Sequence, residues 1–162
     1  MRTNGAWSTR GASWYLPNRL ERLKVDEVTS KRLGRIRQRD TRAELVVRRM
    51  LTELGFHYRT RNRDLPGSPD IANRSQGWVI FVNGCFWHSH KGCPRATVPK
   101  RNREFWKAKF AANRARDRRV LRRLADAGFR ASTVWECELE VPAKTKRRLR
   151  ALLRQRAAKR PS

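Results

Sequence analysis

Residues 81–93 read FVNGCFWHSHKGC, and this stretch indicates more about the fold than any other part of the chain. It holds two of the three cysteines, two of the three histidines and the adjacent aromatic residues Phe86 and Trp87. The β-branched run from Val79 to Val82 leads into it and is typical of a buried strand. Thiol and imidazole ligands beside large rings, in a chain this basic, predict a metal-organised surface for DNA that carries catalytic groups.

The balance of charge is the strongest global signal, because 40 Lys and Arg stand against 14 Asp and Glu and give a formal net charge of +26. Such a domain repels itself unless anions surround it, and phosphate backbones are the usual partner. The sequence has no run of about 18 apolar residues and no apolar signal region at its start, so neither a membrane span nor secretion is expected. We predict a DNA-binding domain with loose ends, since 162 residues suit one domain.

The order of predicted elements indicates an α/β fold with a central mixed β-sheet flanked by helices. A helix begins after the N-cap Asp40 and ends at Gly55 as C′ residue, with the apolar positions 45, 46, 50, 51 and 54 on one face. We expect strands at 56–60, 70–72, 78–82 and 131–135, an irregular loop at 84–100, and helices at 25–36, 102–111, 113–127 and 143–159. The turn at 74–77 makes the second and third strands a hairpin and brings Asp70 close to Val82.

The domain organisation follows from the same pass along the chain. We predict a flexible basic arm at 1–25, one main folded domain at 26–140, and a basic helix and tail at 141–162. The chain shows no internal repeat.

Cys85, His90 and Cys93 supply three closely spaced soft ligands, and Cys137 follows a predicted strand far down the chain. Four N/S ligands suit tetrahedral Zn²⁺ without an open position, which is typical of a structural site. Such a site would hold the 84–100 loop, which has little apolar content, against the sheet. The alternatives are three unligated thiols with an unrelated histidine, or a catalytic zinc.

A second set of residues is typical of hydrolysis. Asp70 and the main-chain carbonyl of Val82 are hard oxygen ligands for Mg²⁺. His88 is not needed for zinc and can act as a general base, with Asp117 to orient it and Glu44 to bind metal-coordinated water. Each has a simpler interpretation: Asp70 caps a turn, His88 is a competing zinc ligand, Asp117 pairs with neighbouring arginines, and Glu44 stabilises a helix start.

Phe86 and Trp87 lie inside the proposed zinc loop, where rigidly held rings can enter a base step and unstack it. The cost is lowest where base pairing is already weak, as at a mismatch. Trp106, on the following helix, is placed to approach from the side. The alternative is that all three rings pack beneath the loop.

At this point the sequence resembles the very-short-patch repair (Vsr) mismatch endonucleases over residues 28–140. The resemblance is carried by Arg39-Asp40-Thr41-x-x-Glu44, Leu65-Pro66-Gly67-Ser68-Pro69-Asp70, Val79-Ile80-Phe81-Val82-Asn83-Gly84-Cys85-Phe86-Trp87-His88, Glu104-Phe105-Trp106, Asn113-x-x-x-Asp117-Arg118-Arg119 and Val134-Trp135-Glu136-Cys137. It implies a restriction-endonuclease-like fold with a structural zinc. It also implies Mg²⁺-dependent nicking of one strand 5′ to the T of a T:G mismatch, the product of 5-methylcytosine deamination.

The resemblance also implies roles for individual residues. Asp70, aided by the Val82 carbonyl, would bind Mg²⁺, and His88 would be the general base with Asp117 and Glu44 assisting. The implied zinc ligands are Cys85, His90, Cys93 and Cys137, and the implied intercalating residues are Phe86, Trp87 and Trp106.

The chain departs from the family pattern at Val82-Asn83, where many members have Thr-His. A main-chain carbonyl survives the first change, but Asn83 can donate a hydrogen bond and cannot deliver a proton to the leaving oxygen. The spacing from His90 to Cys93 also differs by a residue.

We therefore expect a bacterial, cytoplasmic, nucleoid-associated enzyme that acts as a monomer on mismatched double-stranded DNA, with or without other repair proteins. The alternatives are a zinc-stabilised mismatch sensor without catalysis and a sequence-specific restriction-type nuclease on intact duplex.

Overall fold

A mixed three-stranded sheet forms the centre of the computed structural model, which describes residues 40–154. The strands are β1 (Ile71–Asn73), β2 (Trp78–Asn83) and β3 (Arg130–Trp135), in the order β1-β2-β3. β1 and β2 form the predicted antiparallel hairpin, and β2 and β3 pair in parallel. The predicted arm at 1–25 and helix at 25–36 lie outside the described residues.

Three α-helices surround the sheet: α1 (Arg42–Glu53), α2 (Arg103–Asp126) and α3 (Pro142–Arg154). A 3₁₀ helix, Glu136–Glu140, connects β3 to α3. The sheet and its flanking helices confirm the predicted α/β class. In the described part of the chain, no helix is both long and apolar enough to cross a membrane.

The two faces of the sheet are covered by different helices. Val47 of α1 and Leu149 of α3 pack with Ile80 in one buried cluster. Val120 and Leu124 of α2 pack with Val79 in a second cluster. Because neighbouring residues on a strand point to opposite faces, α1 and α3 share one side of the sheet and α2 covers the other.

The N-terminus of α1 corrects the predicted cap, because Thr41 is the N-cap and Asp40 lies one residue outside the helix. Thr41 and Glu44 form a capping box, in which the Thr41 hydroxyl accepts from the Glu44 N–H. Asp40 instead has a positive φ of 49° and pairs with Arg48. The predicted C′ position of Gly55 is confirmed by its φ of 75° after the C-cap Leu54.

The predicted apolar face of α1 is also partly wrong. Leu45 is 52% exposed, whereas Val47 is fully buried beside Met50 and Leu51. The buried stripe therefore begins two residues later than the one predicted from Leu45.

Two further predictions of secondary structure are wrong. Residues 56–60 form no strand; Arg59 makes only a single bridge to Ala72, since β1 is too short to pair a longer segment. Phe56 and Tyr58 instead pack against the core. The helices predicted at 102–111 and 113–127 are one continuous helix, α2, because neither Gly nor Pro interrupts residues 103–126.

Candidate active site and metal centre

The candidate site lies at the carboxyl ends of β2 and β3. Because these strands are parallel, the loop after β2 and the 3₁₀ helix after β3 begin at the same edge of the sheet. The first segment carries Cys85, His88 and His90, and the second carries Cys137. Residues nearly 50 positions apart in the sequence therefore meet at one edge.

The structure brings the four predicted soft ligands together. The ligating atoms of Cys85, His90, Cys93 and Cys137 all lie within 4.8 Å of one another. His90 Nδ1 is 3.7 Å from the Cys85 Sγ and 3.4 Å from the Cys137 Sγ. Bonds of about 2.0 and 2.3 Å from one tetrahedral metal ion to nitrogen and sulfur place such atoms roughly 3.5 Å apart. This group of residues could therefore hold a metal ion.

Two of the three thiols in the cluster have raised pKa values, so they stay protonated unless a cation binds beside them. Burial raises the pKa of Cys85. Burial and the hydrogen bonds and charges of Cys85 and Cys93 raise the pKa of Cys137 to about 12. The pKa of Cys93 is lowered instead, chiefly by a backbone hydrogen bond from Arg95. A cation bound among the three sulfur atoms would favour their deprotonated forms. The His90 ring is held by stacking on Trp135, with ring centres 4.0 Å apart and planes 3° apart.

Asp70 lies immediately before β1 and reaches across the hairpin to the end of β2. The Val82 N–H donates to Asp70 Oδ2 over 2.7 Å. Burial raises the pKa of Asp70 from 3.8 to about 6, and the charge of Glu44 contributes to the rise, whereas the Val82 hydrogen bond and the charge of Arg48 oppose it. The predicted approach of Asp70 to Val82 is thus observed, and two carboxylates converge where a cation would relieve their repulsion.

Glu44 has its own structural partners besides Asp70. Its carboxylate is 5% exposed and accepts hydrogen bonds from Asp40, Thr41 and Arg48. The capping box that starts α1 thus also fixes an acidic side chain beside Asp70.

His88 and Asp117 form a close pair between the loop and α2. His88 Nδ1 lies 2.6 Å from Asp117 Oδ2, and both side chains are partly buried. Burial opposes ionisation of Asp117, but the hydrogen bond and charge of His88, together with Arg116, hold its pKa below the usual value. In the neutral form of His88, an Nδ1–H donated to this carboxylate leaves Nε2 able to accept a proton. His88 is absent from the cluster of four soft ligands.

The three aromatic residues predicted to intercalate lie in one cluster. The Phe86 ring contacts Trp87, Trp106 and Phe110, with ring centres 5.1, 5.1 and 5.3 Å away. Trp106 is only 5% exposed, whereas Phe86 and Trp87 are half-buried. The three rings therefore pack on one another and on Phe110 between the loop and α2.

Asn83 ends β2 opposite Trp135 of β3 and is half-buried. It lies between Val82 and the loop that carries Cys85 and His88. The position at which the chain departs from the family pattern is therefore part of the same strand end as the other site residues.

Sequence reasoning missed two residues that position the site. Asn62 is 2% exposed, and its Nδ2 donates to the Pro69 carbonyl over 3.1 Å, which fixes the backbone just before Asp70. Asn113 Nδ2 donates to the Trp87 carbonyl over 2.8 Å. Asn113 lies one helical turn before Asp117, so their shared face was a signal that could have revealed it.

Comparison with known proteins gives a consistent result. A family model described as DNA mismatch endonuclease Vsr matches residues 25–95. The Type II nicking enzyme V.XorIIP of Xanthomonas oryzae pv. oryzae is 44% identical over 121 residues, which cover 75% of this chain and 88% of that protein. The Type II nicking enzyme V.NmeAIP of Neisseria meningitidis is 38% identical, with 78% and 92% covered. The DNA mismatch endonuclease Vsr of Escherichia coli is 42% identical, with 68% and 70% covered.

Proposed function

The chain belongs to the Vsr family and is a DNA endonuclease, and we propose that it nicks one DNA strand 5′ to the T of a T:G mismatch in a Mg²⁺-dependent reaction. The family is restriction-endonuclease-like, in agreement with the α/β fold. The observation that carries the proposal is the His88–Asp117 pair. His88 lies in the loop just after β2, and Asp70 accepts a hydrogen bond from Val82 near the end of that strand.

The acidic residues would hold the catalytic cation. Asp70 and the Val82 carbonyl offer hard oxygen ligands, and the raised pKa of Asp70 beside Glu44 marks a place where positive charge would be stabilising. Mg²⁺ bound there would neutralise charge on the phosphate in the transition state. Glu44, held by the capping box, would accept hydrogen bonds from water at that cation.

The remaining residues would manage protons and the leaving group. His88 Nε2 would take a proton from the attacking water, while Asp117 holds Nδ1 and stabilises the imidazolium that forms. Asn83 would donate a hydrogen bond to the leaving oxygen. Because an amide cannot release a proton at neutral pH, solvent would protonate that oxygen.

The soft ligands would hold a structural zinc ion. Cys85, His90, Cys93 and Cys137 form a complete tetrahedral set, which leaves no open position for a substrate. Such a crosslink would fix the loop from which His88, Phe86 and Trp87 project.

Recognition of the mismatch would depend on the aromatic cluster. Phe86 and Trp87 would enter the base step beside the mismatch, where unstacking costs least. Trp106 is buried against Phe86, so its ring would reach the DNA only after the cluster opens. The protein would act as a monomer on chromosomal DNA in the bacterial cytoplasm. A sensor without catalysis is not favoured, since the relatives are nicking enzymes.

A labelled T:G duplex incubated with Mg²⁺ tests this function, with a T:A duplex as substrate control. We expect one nick in the T strand of the first duplex only, and at least a roughly 10³-fold slower reaction for Asp70→Ala, since metal charge stabilisation is worth several kcal/mol. Asp64→Ala is the matched control, because Asp64 is an exposed carboxylate paired with Arg74. Equal cutting of the T:A duplex would indicate a restriction-type nuclease, and no cutting by the wild type would indicate a sensor.

A further inference from the structure

The cations of α3 divide into two groups with different surroundings. Lys146 pairs with Glu53 over 2.7 Å, and Arg148 bonds the carboxylate of Glu138 over 2.8 Å. These two side chains attach the helix to its neighbours. The other group comprises four exposed residues, Lys144, Arg147, Arg150 and Arg154. Among residues 40–154, no ion pair or side-chain hydrogen bond involves any of these four.

The four exposed cations lie on one side of the helix and are called the α3 stripe below. At 100° per residue, they fall within a sector of about 120°. Thr145, Leu149 and Leu153, which are buried against the sheet, lie on the other side. From Lys144 to Arg154 the stripe is about 15 Å long, at 1.5 Å per residue.

The α3 stripe is separate from the proposed nicking site. α1, which carries Glu44, packs on the same face of the sheet as α3, but the stripe lies on the side of α3 that faces away from its buried residues. α2, which holds Asp117 against His88, covers the opposite face. None of the four cations belongs to the soft-ligand cluster or to the Asp70 and His88 contacts. The charge of the stripe therefore is not explained by the chemistry of the site.

We propose that the α3 stripe binds the phosphate backbone of duplex DNA outside the nicked site, without reading its sequence. Each strand of B-DNA carries one charge per about 3.4 Å of helix axis, so about four phosphates match the four cations along the stripe. A lipid surface fits less well, because binding in a membrane interface needs an exposed apolar face and the apolar side of α3 is buried. The inference needs only the DNA-endonuclease activity of the family and not the choice of mismatch.

Replacing all four cations by Gln in the full-length protein tests the proposal. The affinity for a fully matched duplex is measured across a series of salt concentrations. We expect the slope of log affinity against log salt to become shallower by about 3 to 4, since each phosphate contact contributes about 0.9. We also expect affinity at low salt to fall at least about tenfold. The single-turnover nicking rate at saturating protein should not change, because the stripe does not touch the site.

A control variant with the same loss of charge separates the stripe from net charge. Gln at Arg42, Arg49, Arg122 and Arg123 removes four exposed cations from α1 and α2. The proposal is wrong if this control loses as much slope as the stripe variant, or if the stripe variant keeps the wild-type slope. If the wild type nicks no mismatched duplex, the proposed function is wrong. The salt dependence of affinity for matched DNA would still test the α3 stripe.

Two sources of the duplex are distinguished by its length. If the stripe binds the flank of the substrate, the difference between wild type and variant appears with a duplex of several turns and vanishes with one of about one turn, 10–10.5 base pairs. If it binds a second duplex, the wild type but not the variant retains a labelled matched duplex on beads that carry a mismatched one. Either result supports backbone binding by the stripe.

Discussion

Two sites at the same edge of the sheet could hold cations, and they are built in opposite ways. In the soft-ligand cluster, four side chains come within 4.8 Å of one another and form a complete set. In the acidic site, Asp70 is a half-buried carboxylate that accepts a hydrogen bond from a backbone N–H and interacts electrostatically with a second acid, Glu44. One site is closed by its ligands and the other leaves positions for water and phosphate.

A closed set of ligands suits support of the fold, whereas an open acidic site suits the chemistry of the reaction. A complete ligand set lowers the free energy of the folded chain once a metal binds. A poorly solvated carboxylate without a bound cation raises the free energy of the folded chain, because its charged form is unfavourable there. The free energy of unfolding should therefore fall when a ligand of the soft-ligand cluster is removed and rise when Asp70 loses its charge.

The largest effect is expected at the closed site. Cys137→Ala removes a ligand that lies on a different segment from the other three, so the loop loses its crosslink to the 3₁₀ helix. We expect the free energy of unfolding to fall by more than about 5 kcal/mol, a fraction of the 10–16 kcal/mol that structural zinc contributes to small domains. Denaturant unfolding of the zinc-loaded protein, combined with metal analysis, measures this change.

Arg95→Gln serves as a control beside the same cluster. Arg95 pairs with Glu140 at the surface, and exposed pairs contribute only about 0–1 kcal/mol. Purified wild-type protein without zinc, or Cys137→Ala with wild-type stability, would remove the structural role from the cluster and with it the comparison.

The next largest effect is expected at His88, the proposed general base beside the acidic site. His88→Gln should slow single-turnover nicking about 10²–10⁴-fold, the usual contribution of a general base. Zinc content should stay at one ion per chain, because His88 is not among the four ligands. If zinc is lost together with activity, His88 is a metal ligand and the two sites are not independent.

The contacts within each site differ in how far they could be predicted. The Asp70–Val82 approach depends on a hairpin with a four-residue turn, so local pattern was sufficient. The three ligands of the 84–100 loop are also local. Cys137 joins them only because β2 and β3 are parallel neighbours, which follows from the order of strands and the intervening helix.

Three other features of the structure could not be predicted from local sequence. Asp40 and Thr41 are adjacent and both are good N-caps, and the capping box with Glu44 decides for Thr41. The Phe56–Thr60 segment has the composition of a strand but lies beside a three-residue edge strand that cannot pair with it. The Asn62 contact depends on tertiary geometry, which no spacing within one segment reveals. The Asn113 contact is different, because its position one helical turn before Asp117 was a usable signal.

The smallest effect has the opposite sign to the first. Asp70→Asn keeps an oxygen that can accept from the Val82 N–H but cannot ionise. We expect the variant to be inactive and yet more stable at pH 7.5, by roughly 3 kcal/mol, the free energy linked to a pKa raised from 3.8 to about 6. Denaturant unfolding from pH 3.5 to 8, in magnesium-free buffer with zinc retained, measures the difference.

The pH dependence identifies ionisation of Asp70 as the cause. The folded protein binds the proton of Asp70 more tightly than the unfolded chain, so wild-type stability falls as pH rises from about 4 to about 6 and levels above that. The advantage of Asp70→Asn should therefore vanish below about pH 4. Asp64→Asn is the control with the reverse sign, because the hydrogen bond from Arg74 lowers the pKa of Asp64 and its loss costs stability at neutral pH. If Asp70→Asn is destabilising at pH 7.5, the acidic site supports the fold as the cysteine cluster does.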